Sequence, residues 1–444
     1  MARVPPELVF TILELAYPEP WLFPPPLLSK SFLPIYRSII HRVLRLSDLP
    51  YLIKFNHRCR RDAELGGLVR LLEDVEPLEP VTDDSEENNG LPRRRLRAYT
   101  WVSQETMAAN EDVIQTFWRH LDNLQVIRLN EFWSHFLLFS DLSASFIGLQ
   151  LQSLSYLDIT SPYLPPSGSS QHKLFDLLAH CRSLSHLRLS TNSILPRTTQ
   201  TYPQIKRLTL QGVVFDEEGD FFYQSFPHLS TLEIAYCKQQ IEANSRLLRD
   251  PDLDRLPPLI SALSLRQEVA YRTLQFPKQD YPHLETLQLD LGPIDQSFAL
   301  SLSHLTSIRS VAIGGSHSLS GSKLITSVEN LLENLPSIDH LELNTMTGKT
   351  GTRVPIGGPL AQVHDDILLV ATDWILPNFE LAAPALLAAL NKFRKSGVAL
   401  SGTTVDALEV WNDWNRERER CIEAYLESEE ARKQNLTESL ISIE

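Results

Sequence analysis

The chain has 444 residues, enough for two or three domains of ordinary size. Its 41 lysines and arginines against 55 acidic residues leave a net charge of −14, which argues against general binding to nucleic acid or an anionic membrane surface. Hydrophobic residues at 43% and charged residues at 22% are ordinary globular usage and exclude a chain that is disordered throughout.

The first predicted element opens at VPPELVFTIL. Pro5, Pro6 and Glu7 suit the first turn of a helix, where a missing N–H is harmless and a negative charge meets the positive end of the dipole. Leu8 with Ile12, and Val9 with Leu13, then stand one turn apart. The stretch AYPEPWLFPPPL that follows carries three consecutive prolines, Pro24 to Pro26, which a helix cannot accommodate. Beyond it, LLSKSFLPIYRSIIHRVLRLS supplies a second apolar set: Leu27, Leu28, Phe32, Ile35, Ile39 and Ile40. Residues 1–65 read as helical and basic, with a separate module over residues 1–50. Two or three short helices in so few residues cannot bury a self-sufficient core, so their apolar surface needs a partner.

Next, GGLVRLLEDV predicts an opening strand around Leu68 and Leu71. Residues 73–90 carry eight acids in eighteen positions and predict a flexible acidic loop. RRRLRAYTWV predicts another strand near Leu96–Val102.

From residue 124 onward one pattern recurs, L-x-x-L-x-L with aliphatic replacements. Its first positions are Leu124, Leu154, Leu184, Ile205, Leu229, Leu284, Ile308 and Ile338, spaced by 30, 30, 21, 24, 55, 24 and 30 residues. The interval of 55 is about twice the others, so an irregular repeat or an insertion is expected within residues 235–283. The last four residues of each unit alternate as a half-buried strand does. Leu157, Leu187, Leu208, Leu232, Leu287, Val311 and Leu341 should therefore form one buried row. Several units open on an aromatic residue and a proline (YPQI, FPHL, YPHL), at the start of a strand where a missing N–H is tolerated. This explains part of an excess of proline, 29 against 17 glycines, as the repeats explain 75 leucines. Between strands, Leu174, Leu177 and Leu178, and then Leu324, Val328, Leu331, Leu332 and Leu335, recur at helical spacing.

Strand alternation also names the residues that face outward. Arg128, Tyr156, Asp158, His186, Arg188, Arg207, Glu233, Gln288, His340 and Glu342 are the candidates for holding a partner. In chain order this row runs from basic, around His186 to Arg207, to acidic or neutral beyond Glu233. Later, DDILLVATDWIL and SGVALSG predict final strands near Ile367–Val370 and Val398–Leu400. Val405 to Lys433 predicts one long charged helix whose Trp411 or Trp414 covers the last apolar layer; a partner-binding helix is the alternative.

One strand and one helix per 21–30 residues resembles the leucine-rich repeat, a curved parallel sheet backed by helices. The asparagine usual after the third aliphatic residue is mostly missing, so these units resemble the irregular repeats of large F-box families. The N-terminus carries the same resemblance. V-P-P-E, Ile12-Leu13 and L-S-K-S-F at Leu28–Phe32 resemble an F-box, and the continuation through ELGGLVRLLE resembles the F-box-like proteins of basidiomycete fungi. The fold class this implies is α/β. A helical F-box-like module over residues 1–50 leads into a right-handed leucine-rich-repeat solenoid over 51–403, with a C-terminal charged capping helix over 404–444. The function it implies is non-enzymatic: substrate recognition in an SCF-type ubiquitin ligase. The module would dock on a Skp-type cullin adaptor through Pro5, Leu8, Val9, Ile12, Leu13, Leu28 and Phe32, while the repeats hold a target protein. The alternative is a repeat scaffold that has lost adaptor binding, which the triple proline favours.

Little else in the chain points to chemistry. Gly348-Lys349-Thr350 lacks the glycine-rich loop of a phosphate site, and His364-Asp365-Asp366 lacks a second histidine at metal-ligand spacing. Ser316 lacks the closing glycine of a nucleophile elbow. Cys59, Cys181, Cys237 and Cys421 lie far apart with no C-x-x-C pair, which excludes a disulfide scaffold and fits a reducing compartment. Glu7 and Glu14 break any secretory signal. The longest apolar run, Leu381 to Leu390, contains Pro384 and is half of what a membrane span needs. An intracellular protein is expected, without cofactor, metal, nucleic acid, membrane or small-molecule substrate.

Overall fold

The computed structural model describes residues 37–39, 41–46, 49–74, 110–130, 133–134, 137, 143–160, 169–191, 194–195, 200–215, 221–240, 248–249, 256–266, 281–290, 294, 296–314, 321–335, 337–344 and 379–441. The chain divides into two compact units, Met1–Ile260 and Ser261–Glu444.

In the first unit the elements are β1 (Val43–Leu46), α1 (Leu49–Arg61), α2 (Glu64–Gly67), β2 (Leu71–Asp74), α3 (Glu111–Arg119), β3 (Val126–Leu129), α4 (Ala144–Gln150), β4 (Tyr156–Thr160) and α5 (Ser169–His180). They continue with β5 (His186–Ser190), β6 (Ile194–Leu195), β7 (Arg207–Gln211), β8 (Val214–Phe215), α6 (Phe221–Ser225), β9 (Thr231–Ala235), β10 (Lys238–Gln240) and β11 (Leu248–Arg249). One parallel sheet runs in the order β1-β2-β3-β4-β5-β7-β9. The connections are long enough for the crossovers that parallel pairing requires.

Register locks the core. Leu44, Leu72, Ile127, Leu157, Leu187, Leu208 and Leu232 stand opposite one another from strand to strand. A second row runs through Leu129, Ile159, Leu189, Leu210 and Ile234. Both rows are buried, as are the first positions of the pattern, Leu124, Leu154, Leu184, Ile205 and Leu229. The aromatic lead-ins add to this core: Tyr202 and Phe226 are buried with ring centroids 5.6 Å apart. Each strand is also tied to the last at its entry. The Arg70 carbonyl accepts from the N–H groups of Gln125 and Val126 at 2.9 and 3.0 Å, and the carbonyls of Gln125, Ser155, Ser185 and Lys206 repeat the arrangement. A carbonyl has two lone pairs, and both are used.

The second unit contains β12 (Ala262–Arg266), β13 (Thr286–Asp290), α7 (Gln296–Ser301), β14 (Ser310–Gly314), α8 (Gly321–Asn334), β15 (His340–Asn344), α9 (Phe379–Lys395), β16 (Ala399–Ser401) and α10 (Thr403–Ile441). Strands β12 to β16 pair in parallel and in sequence. Leu263, Leu287, Val311 and Leu341 share one register row, with Leu400 of the last strand half-buried at its end. Leu324, Val328 and Leu331 form the buried face of α8 as the spacing predicts, Leu335 just beyond its end is buried too, and Leu332 is half-buried. The seven residues predicted as a buried row, Leu157 through Leu341, are each no more than 1% exposed.

Three features depart from the sequence pattern. First, β12 lies inside the interval of 55 residues, with Ile260, Leu263 and Leu265 in frame. The same interval holds β10 and β11, which join β8 and β6 in a second small sheet. The expected irregularity is thus both a repeat and an insertion.

Second, the sheet begins at β1, in a stretch read as helical and assigned to the N-terminal module. Alternation of Val43 and Arg45 outward with Leu44 and Leu46 inward is only four residues long, too short to outweigh the helical spacing before it. Third, Glu73 and Asp74 belong to β2 rather than to an acidic loop; residues 75–90 lie outside the described residues, as do the strands expected near Leu96–Val102 and Ile367–Val370.

The C-terminal helix begins as a cap. Thr404, Val405 and Leu408 are buried, and α10 packs on β15 and β16. Gly402 makes the turn possible: its φ is +101°, and a Cβ there would stand 2.5 Å from the Leu343 carbonyl oxygen. The Thr403 N–H donates to Asn344 Oδ1 at 3.2 Å, satisfying one of the open donors of the helix start. Trp411 is half-buried; the Trp414 side chain lies outside the described residues. Among the described residues no helix is long and apolar enough to cross a membrane.

Asp74 pairs with Leu46 and takes the inward position that Leu129 holds in β3. The Asn130 N–H donates to its Oδ2 at 2.8 Å, while its buried Oδ1 has no hydrogen-bond partner among the described residues. Burial pushes its carboxyl up to about 7, against the Asn130 N–H and with help from Glu73. The folded form therefore binds this proton more tightly than the unfolded chain, so its contribution is fully present below about pH 4 and is lost as pH rises through 7. Asp74→Leu should remove that slope and raise stability at pH 8 by at most ~4 kcal/mol, read by urea unfolding at several pH values. Leu187→Asp, which puts a charge into the central row, should cost several kcal/mol and unfold the first unit.

Candidate interaction face

Because each strand buries alternate residues, the other residues line one face of each sheet. In the first unit one outward row is Val126, Tyr156, His186, Arg207 and Thr231. The next is Arg45, Glu73, Arg128, Asp158, Arg188, Thr209 and Glu233. Parallel register thus brings together Arg128, Tyr156, Asp158, His186, Arg188, Arg207 and Glu233, all predicted from alternation.

Their contacts form a connected cluster. Arg128 holds its guanidinium 5.7 Å from the centre of the Tyr156 ring. The Tyr156 ring meets His186 edge-on, with centroids 4.5 Å apart. The Tyr156 hydroxyl donates to Asp158 Oδ2 at 3.2 Å, and Arg188 Nη1 lies 3.8 Å from the same oxygen. The Thr209 hydroxyl donates to Glu233 at 3.3 Å, and Arg45 pairs with Glu73 at 2.8 Å.

The charge order differs from the basic-to-acidic row that chain order suggests. Arg45, Glu73, Arg128, Asp158 and Arg188 alternate in sign across five neighbouring strands. Glu73 was missed because Asp74 breaks the leucine pattern that would have placed β2 in frame, and Arg45 because β1 is only four residues long and follows helical spacing. Alternation neutralises the row internally. It favours a partner that matches charge by charge over one drawn to a uniform field.

Burial sets the protonation of the cluster. The Asp158 carboxyl is raised above its usual range by desolvation, opposed by Arg188, the Tyr156 hydroxyl, Arg128 and His186. Tyr156 is raised by burial and then by Asp158. His186 is lowered by burial and then by Arg207, with Asp158 and Glu233 opposing. A neutral imidazole against a tyrosine, framed by exposed arginines, is a rigid aromatic anchor of the kind that dominates protein interfaces.

In the second unit Gln288, His340 and Glu342 also face outward. His340 bridges three strands, with Nδ1 3.2 Å from Ser310 Oγ and Nε2 2.8 Å from Ser401 Oγ. Asn344 donates to Glu342 at 2.6 Å, and Arg266 pairs with Asp290 at 2.6 Å. The other outward residues here are small: Ala262, Ser264, Thr286 and Ala312. This face is polar and shallow in charge. Ser401 was not legible as a partner of His340, because the two are 61 residues apart.

The other predicted site residues, Pro5, Leu8, Val9, Ile12, Leu13, Leu28 and Phe32, lie outside the described residues. So do Ser316, Gly348 to Thr350 and His364 to Asp366. Among the described residues no group of three histidine, cysteine or acidic side chains is placed to hold a metal ion. Burial pushes the thiols of Cys59, Cys181 and Cys237 up to about 11, 12 and 12, which leaves them protonated and unreactive at neutral pH.

No protein-family profile matches the chain, and no curated protein matches it. Solved structures do match. One is a chain from the crystal structure of the Rad7 and Elc1 complex in yeast, 12% identical, with the match covering 78% of this chain and 90% of that one. Its TM-score is 0.28, too low to carry structure or function across, so the functional reading rests on the chain's own residues.

The electrostatics of the cluster can be read directly. By NMR titration His186 should have a pKa below the ordinary 6.5. Arg207→Ala should raise it by removing a positive neighbour, and Asp158→Asn should lower it further by removing a negative one. Opposite signs would mean that the cluster is not assembled as described.

Proposed function

We propose that this protein is a non-enzymatic substrate-recognition subunit of an SCF-type ubiquitin ligase, acting inside the cell. Residues ahead of β1 form the docking module for a Skp-type adaptor, and the outward faces of the repeats hold a target protein. The observation that carries this reading is the order of parts. The F-box-like string from V-P-P-E to L-S-K-S-F precedes a run of strands whose register aligns an aromatic and charged face.

The mechanism is proximity. A receptor that holds a target beside a ubiquitin-loaded enzyme raises the local concentration of acceptor lysines and needs no reactive group of its own. The sheet suits that task because its backbone ladder fixes the spacing of the outward positions, so the backbone loses little entropy on binding. Tyr156 and His186 supply the contact area, while Arg128, Asp158, Arg188 and Arg207 set which partner fits.

Adaptor docking follows the size of the module. Apolar residues that so small a module cannot bury are covered by the adaptor, and each fully buried leucine or isoleucine contributes ~1.5–3 kcal/mol. The three prolines Pro24 to Pro26 favour a second reading, a repeat scaffold that recruits a partner without an adaptor.

A pull-down with purified Skp-type adaptor separates the two. The wild-type chain should bind, and Ile12→Ala with Leu13→Ala should weaken binding by ~2–5 kcal/mol, or ~30-fold or more, with circular dichroism unchanged. No binding by a folded wild-type chain would sink the ligase reading and leave the scaffold.

A further inference from the structure

Beyond its buried first turns, α10 runs out into solvent. From Arg416 to Arg432 every described side chain is exposed except Glu429, which is half-buried. Three of these residues are large and apolar: Ile422 is 48% exposed, Tyr425 63% and Leu426 56%. Tyr425 and Leu426 follow Ile422 by three and four positions, so all three fall on one stripe of the helix. Arg418 continues the stripe one turn before Ile422, and Glu429 continues it one turn after Tyr425. Arg416, Arg420, Glu423 and Glu427 occupy the opposite side.

We propose that this segment pairs with the same segment of a second copy of the chain, antiparallel, about a two-fold axis between Glu423 and Ala424. The axis places Ile422 opposite Tyr425 of the partner subunit, and Tyr425 opposite Ile422 of the partner subunit. It places Arg418 opposite Glu429 of the partner subunit, and by symmetry this pair forms at both ends. Asn415 falls opposite Arg432 of the partner subunit. A parallel pair would instead set arginine against arginine and glutamate against glutamate at these positions. The charge order therefore selects the antiparallel arrangement, as charges flanking an apolar seam do in coiled coils.

Arg418 and Glu429 also interact within their own chain, and the Tyr425 hydroxyl lies 3.5 Å from Glu429 Oε1. A carboxylate with two oxygens and a guanidinium with five N–H groups can serve both partners. Pairing would also give the exposed part of the helix a packed face, and packing supplies most of a helix's stability. The result is a receptor with two target faces per assembly, which raises avidity for a target presenting two sites.

Sedimentation equilibrium on the full chain tests this. The average mass should rise with concentration from 50.5 kDa toward twice that value. Ile422→Glu with Tyr425→Glu should abolish the rise without changing the main thermal transition, because both side chains are exposed. Arg418→Glu alone should weaken the dimer about tenfold or more, and Arg418→Glu with Glu429→Arg should restore it, since both copies exchange their charges. A chain that stays monomeric up to ~100 μM overturns the proposal. So does a dimer indifferent to Ile422→Glu with Tyr425→Glu, or a charge-swapped variant no better than Arg418→Glu.

Discussion

One strand and one helix of this chain cannot bury their own apolar faces; only the next unit can do it. That constraint explains why leucine follows leucine in register, Leu157 on Leu187 on Leu208 on Leu232, each almost fully withdrawn from water. It also explains the doubled hydrogen bonds at strand entry. A carbonyl that accepts two N–H groups from the following unit fixes both spacing and phase, so a slip by one residue would lose bonds and turn every leucine outward.

The same ladder that buries one face organises the other. Residues 30 positions apart, such as Tyr156 and His186, become neighbours at ring contact only because the strands between which they lie are in register. The alternation of Arg45, Glu73, Arg128, Asp158 and Arg188 is likewise a product of stacking, for no local stretch of sequence contains it. Burial then tunes the cluster, holding His186 toward its neutral form and Asp158 toward protonation while the exposed arginines keep their charge outward.

The ends of each sheet are handled differently from the middle. At β2, next to the edge strand β1, the apolar row gives way to Asp74, a carboxyl raised to about 7 by its surroundings. At β16 the open end is covered by the start of α10, fastened through Asn344 and turned by Gly402. Beyond that fastening, the side chains from Arg416 to Leu426 are exposed among the described residues, and the apolar stripe of Ile422, Tyr425 and Leu426 is left to solvent or to a partner.

Much of this was legible in the sequence because the repeat is a periodic signal. Period-two alternation named the buried row and the outward residues, and helical spacing named the inner faces of α5 and α8. The signal failed where single residues broke the period. A strand is expected around Leu68 and Leu71, but Asp74 hid the frame and end of β2; the brevity of β1 hid the true start of the sheet, and the interval that holds β10 and β11 hid the in-frame strand β12. What the sequence by itself determined is the set of side chains turned inward, since that depends only on local geometry and hydrophobicity. What only the tertiary structure decided is which outward residues meet, such as His340 with Ser401 and Tyr156 with His186, because those contacts depend on stacking of strands that are 30 or more residues apart.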